Sequence, residues 1–177
     1  VQKPFGIVLI LGDGMVGSKL AAARLYGGGA DQRLAVEGFP HVAILSNYAN
    51  DFAVPDAAAA STALACGVKT NNGSLGVDEE GEPAVSLAHL AKQRGRAVGL
   101  VTDGQLTDPG LAAFYARASG GTPATELAAQ LVDGEGFDLL LGGGRSDFLP
   151  DNKEGVRDDG RDLLLDWRRK GFELVRT

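Results

Sequence analysis

Four short runs of uninterrupted apolar residues, at 7–11 (IVLIL), 42–45 (VAIL), 97–101 (AVGLV) and 139–141 (LLL), constrain the fold most strongly. Each is strand-length and lacks polar alternation, the pattern of a strand covered on both faces. Helical patterns separate most of them, so the chain reads as successive βα units. The predicted fold class is α/β, a doubly wound, mainly parallel sheet with helices on both faces. Ligands of such sheets gather at the carboxyl ends of the strands, where Asp13, Thr102 and Gly142 fall.

A chain of 177 residues, 44% of them hydrophobic, is long enough to bury a core. One α/β domain over residues 1–177 is expected. The net charge of −6, with Lys and Arg scattered rather than striped, argues against nucleic acid and anionic membranes as partners. No apolar run approaches membrane-spanning length. No signal-peptide pattern is present, Val1 standing beside the first expected strand. The lone Cys66 rules out an internal disulfide and reads as packing on a helix. Gly27, Gly28 and Gly29 close a first helix; an acidic loop at 78–83 (DEEGEP) precedes a helix over 84–94; residues 147–160 form a polar loop.

The segment 54–77 (VPDAAAASTALACGVKTNNGSLGV) carries the chemistry. Asp56 is a good helix N-cap, the run from Ala57 to Ala65 is strongly helix-forming, and Gly67 ends it. Backbone N–H groups at such an N-terminus attract anions. A hydroxyl on the first helical residue would be placed to attack a bound phosphoryl group, but Ala57 offers a methyl. Taken alone, an alanine-rich helix with an Asp cap is ordinary core.

The wording after that helix, from Cys66 to Asp78, resembles the segment that follows the catalytic serine in the alkaline phosphatase family. There the helix opens Asp-Ser-Ala; here the same register gives Asp56, Ala57, Ala58. The resemblance extends over nearly the whole chain. Residues 5–15 (FGIVLILGDGM) look like the first strand and metal-binding aspartate loop, with Val16 where a further glycine is expected. Residues 21–26 (AAARLY) fit the following helix. Residues 100–115 (LVTDGQLTDPGLAAFY) resemble the third strand and magnesium-side loop, and 138–148 (DLLLGGGRSDF) the next strand and its glycine loop; 159–175 also fit.

This resemblance implies a metal-dependent phosphomonoester hydrolase scaffold acting through a phosphoserine, with zinc and magnesium as cofactors. It implies a phosphomonoester or inorganic phosphate as ligand, a periplasmic or extracellular location, and a homodimer as an option. It places Asp56, Ala57 and Ala58 at the phosphate, Ala57 at the nucleophile position, and Asp13 and Asp108 as metal ligands. On the residues alone, Asp13 in its Gly-Asp-Gly turn and Asp108 before Pro109 are equally turn formers or helix caps. Gly110 stands where the family carries a hydroxyl, and Gly121 where it carries a phosphate-clamping arginine. Arg117 is a displaced substitute or a solvated helix residue. Ser61, one turn along from Ala57, lies too far from the helix N-terminus to replace the nucleophile. His41 and His89 match no family ligand; the remaining acids and metal-binding histidines belong to a carboxyl-terminal part beyond Thr177. The expectation is therefore an amino-terminal portion of the family fold with at most half a metal site and little or no activity.

Two alternatives stand beside it. One is a non-catalytic pseudo-enzyme that binds phosphate or metal. The other is a dinucleotide-binding domain, because Gly12-Asp13-Gly14-Met15-Val16-Gly17 is a literal G-x-G-x-x-G. That fingerprint needs an acid after the second strand, whereas Asp31 and Glu37 both precede residues 42–45.

Overall fold

The structure, a computed structural model, describes residues 6–134 and 136–175. The chain divides into two units, Val1–Leu45 and Ser46–Thr177.

The first unit holds helix α1 (Gly17–Gly28), capped at its end by Gly29, and a 3-10 turn at Ala35–Gly38. Glu37 organises that turn: its carboxylate accepts the Leu34 N–H at 2.8 Å and pairs with Arg24. These contacts, the Leu34 N–H foremost, hold the Glu37 carboxyl below its usual range. The expected strands at 7–11 and 42–45 are not formed. Their side chains are exposed, Ile7 at 89% and Ile44 at 97%. Apolar residues do not make a strand without a neighbouring backbone to complete its ladder, and neither run has one among the described residues. Phe5, at the head of the first of these segments, lies outside the described residues.

The second unit contains helix α2 (Ala57–Cys66), helix α3 (Leu87–Gln93), strand β1 (Gly99–Gln105), the single turn α4 (Pro109–Ala112), helix α5 (Ala124–Asp133), strand β2 (Leu139–Gly143) and helix α6 (Leu163–Arg169). β1 and β2 pair in parallel, Gly99 opposite Leu139 through Val101 opposite Leu141. The α/β class with a parallel sheet is therefore observed, and the two downstream apolar runs became its strands. Both strands run past their apolar stretches, so their carboxyl ends are Gln105 and Gly143 rather than Thr102 and Gly142.

Helix α2 forms as its sequence dictates. The Asp56 side chain caps it, and Gly67 ends it in the left-handed region. Ala58, Ala59, Thr62 and Ala65 form its buried stripe. Of these, Ala58 and Ala65 meet Ala112, Ala113 and Ala116 in a close-packed alanine seam completed by Leu75, Ala118 and Leu127. Thr62 is fully buried; its hydroxyl donates to the Ser74 carbonyl and accepts the Gly76 N–H, tying the following loop to the helix. Gly76 must be glycine. A Cβ there would stand 2.2 Å from the Ala116 carbonyl oxygen.

Helix α3 starts three residues later than expected, because Ser86 rather than Ala84 begins it. The Ser86 hydroxyl accepts the His89 N–H and donates to the Phe114 carbonyl at 2.7 Å. A larger core lies under α5 and α6, where Ala128, Leu131 and Val132 of α5 are buried. Phe148 stacks on Trp167 with ring centroids 4.8 Å apart, and Leu163 is fully buried.

Arg157, only 4% exposed, fastens this core to its loops. Its guanidinium donates to the Thr125 and Asp147 carbonyls and pairs with Asp159. That pairing, followed by the Arg161 N–H, holds the Asp159 carboxyl below its usual range. Replacing Arg157 with Met keeps much of the packing but leaves two carbonyls without donors. We expect a loss of about 3 kcal/mol, read as a lower midpoint in urea denaturation; a midpoint unchanged from the parent would contradict this role.

Candidate active site

The amino terminus of α2 is built around one carboxylate. Asp56 accepts the Ala59 N–H at 2.8 Å through one oxygen and the Gly73 N–H at 2.6 Å through the other. Its own N–H donates to the Asn72 side-chain oxygen at 2.8 Å. Asn72 in turn donates its amide to the Val54 carbonyl and its backbone N–H to Asp51. The loop 71–73 is thereby stitched to the segment 51–56, and the entry to α2 is held from both sides.

Both Asp56 oxygens are committed to backbone donors, so this residue shapes the helix entry rather than offering a free group there. The first N–H groups of the helix, on Ala57 and Ala58, have no intrahelical acceptor, as at any helix start. Ala57 is exposed and Ala58 buried. Ser61 is half-buried about 6 Å further along the axis, well back from those donors.

The neighbouring strand-like segment completes one wall. Leu75 and Ala118 form an antiparallel bridge with N–H···O distances of 2.8 and 2.9 Å. This register brings Gly120 against Gly73: a Cβ on Gly73 would stand 3.1 Å from the Gly120 Cα. Gly120 and Gly121 therefore lie beside the α2 entry. Gly121 has open space around it, yet its φ of +87° lies in the region that side chains rarely adopt.

Arg117 is elsewhere. It is not a helical residue, since α4 ends at Ala112. Its side-chain stem lies by Gly76, and its charge is felt by Cys66 at the far end of α2. That is about 13 Å along the helix axis from Ala57, so it does not stand in for a clamp at the α2 amino terminus. Cys66 is half-buried, and burial pushes its thiol up despite Arg117.

Asp108 precedes α4 but does not cap it; its carboxylate turns back to accept the Gln105 N–H at 3.0 Å, lying over Gly104 at the end of β1. The Thr107 hydroxyl donates to buried Asp147 at 2.7 Å and is committed there. Gly110 has nothing within 4 Å of a would-be Cβ, so a hydroxyl-bearing residue would fit. Asp13 sits exposed in the turn before α1; the N-cap position of that helix is Val16, with no side-chain cap. Among the described residues no three His, Cys, Asp or Glu side chains converge to hold a metal ion. The described residues therefore do not make up a zinc site with three protein ligands. Of the two acids at suitable distance from the G-x-G-x-x-G segment, Asp31 and Glu37, the second is engaged by Arg24 and the Leu34 N–H.

The family model for alkaline phosphatase matches residues 6–177. The tissue-nonspecific alkaline phosphatase of Gallus gallus is 33% identical over 203 aligned positions, which take in 91% of this chain and 39% of that protein. Among solved structures, an alkaline phosphatase mutant from the Antarctic bacterium TAB5, with magnesium bound, superimposes with a TM-score of 0.79 at 25% identity, covering 90% of this chain and 43% of that one. The cold-active alkaline phosphatase of Shewanella sp. gives 0.78 at 28% identity, covering 94% and 40%. The chain thus spans about two fifths of the length of these relatives.

Substituting Asp56 with Ala removes the helix cap and frees the Gly73 N–H together. We expect a loss of about 2 kcal/mol and faster amide exchange at Ala59 and Gly73. Unchanged exchange at both would show that the carboxylate does not hold the entry.

Proposed function

Because the chain belongs to the alkaline phosphatase family, we propose that it is a phosphomonoester hydrolase scaffold whose α2 amino terminus receives a phosphoryl group but carries no nucleophile. The observation behind this is Ala57 at the first helical position, directly after a cap as well formed as Asp56. In this reading the Ala57 and Ala58 N–H groups face the anion, Asp56 holds them in place, and no side-chain oxygen stands at the point of attack. Turnover by the chain as it stands is then low or absent.

Three positions depart from the family pattern together: Ala57, Gly110 and Gly121. The open space at Gly110 would take a hydroxyl, whereas the positive φ at Gly121 resists an arginine. That combination favours a non-catalytic, phosphate-binding relative over an enzyme disabled at one residue. Zinc and magnesium are carried over from the family only in part. Bound metal would supply positive charge to a phosphoryl group, and Asp13 and Asp108 would each offer a single carboxylate to it. A location outside the cytoplasm and a homodimer belong to the same reading. Among the described residues no helix is long and apolar enough to cross a membrane.

Ala57→Ser is the direct test, assayed against an aryl phosphate with zinc and magnesium supplied. Parent and variant should both stay at background, because the metal site is only partial; a rise of about tenfold or more in the variant would mark an enzyme disabled at that one residue and overturn the non-catalytic reading, and a parent well above background would remove Ala57 from it. Metal titration by calorimetry should give no Mg²⁺ or Zn²⁺ affinity tighter than micromolar, since hard and borderline cations need several protein ligands. Submicromolar binding would contradict the partial-site reading.

A further inference from the structure

Away from the α2 entry, a cavity of about 200 Å³ opens between α3 and the segment that follows α4, reaching the end of α5. Its walls are mixed, apolar at Ala84, Ala88, Phe114 and Phe137 and polar at Ser86, His89, Lys92, Arg117 and Gln130. That volume is below the range of drug-sized sites and suits a single ring. The polar groups at its edge are unequal. The Ser86 hydroxyl is taken by the Phe114 carbonyl and the His89 N–H. The Tyr115 hydroxyl donates to Leu106, and Lys92 is shared with Asp138 at 3.0 Å.

Arg117 differs from these. Its backbone is clamped at both ends by the Gln130 amide, which accepts its N–H at 2.8 Å and donates to its carbonyl at 3.0 Å. The root of the side chain is fixed, yet among the described residues its guanidinium has no carboxylate partner. A held arginine beside a small, half-apolar cavity pairs a planar two-pronged donor with an apolar wall for a hydrophobic body.

We propose that this cavity binds a small monocarboxylate with a ring-sized apolar body, its carboxylate on Arg117 and its ring against Phe114 and Phe137. A single uncompensated cation matches one negative charge. A phosphate dianion would bring a second charge into a half-apolar mouth where Lys92 is already neutralised by Asp138, and burying it unpaired is costly. The site is separate from the α2 amino terminus, because Arg117 lies at the opposite end of that helix.

The probe is sodium benzoate, titrated into the intact chain and followed by ¹H–¹⁵N NMR. With so few ligand atoms, affinity on the order of a millimolar is expected. Saturable shifts should be confined to the cavity lining, at Gly76, residues 84–92, residues 113–117, Gln130, Gly134 and Phe137, and benzyl alcohol should bind at least fivefold more weakly. Arg117→Gln, at an exposed position, should weaken benzoate at least fivefold with the spectrum otherwise intact. Ala84→Leu, which fills the half-buried wall, should do the same by sterics alone. The proposal is overturned if benzyl alcohol or inorganic phosphate binds the cavity as well as benzoate, if Arg117→Gln leaves the affinity unchanged, or if the parent shows no saturable shift there up to about 20 mM, a concentration well above that millimolar expectation.

Discussion

One carboxylate sets the geometry of the region that matters for function. Asp56 accepts a hydrogen bond from Ala59 within its own helix and another from Gly73 across the loop. The first fixes where α2 begins; the second fixes where the loop returns. From Gly73 the register runs through the Leu75–Ala118 bridge to Gly120, so the wall beside the helix entry depends on the same contact. The alanine seam between α2 and the segment around α4 then packs at the short distance that small side chains permit. Asp56 is thus spent on architecture, and the donors left at the helix entry are backbone N–H groups.

How much of this was legible in the sequence follows from the range of each interaction. The cap at Asp56 and the stop at Gly67 were readable because capping is decided within four residues. The runs at 97–101 and 139–141 were readable because each found the other as a parallel neighbour. The runs at 7–11 and 42–45 have the same composition and did not become strands, because pairing depends on a distant backbone that composition does not report. The start of α3 was misplaced for a related reason. Ser86 outcompetes Ala84 through a hydroxyl that also reaches Phe114, a contact twenty-eight residues away.

The candidate site divides along the same line. Ala57 could be located by counting along one helix, and the structure puts it at the first helical position. Arg117 could not be located so, because counting helical turns past Ala112 assumes a helix that has already ended. The structure moves Arg117 to the Cys66 end of α2 and brings Gly120 and Gly121 to the Asp56 end instead. The three positions that the proposed reading treats as departures, Ala57, Gly110 and Gly121, are also physically unlike one another. Gly110 leaves room that a side chain could fill, whereas the backbone at Gly121 has settled into a conformation suited to glycine. Restoring a family pattern at that point would require the loop to change, not only the residue.

The central claim is that the α2 amino terminus is an anion site without an attacking group. Its most direct test is intact-mass analysis after incubation with an aryl phosphate and acid quenching, with zinc and magnesium present. The expected result is an unmodified parent chain. A phosphoryl group found covalently attached to the parent, at Ser61 or any other residue, would contradict it.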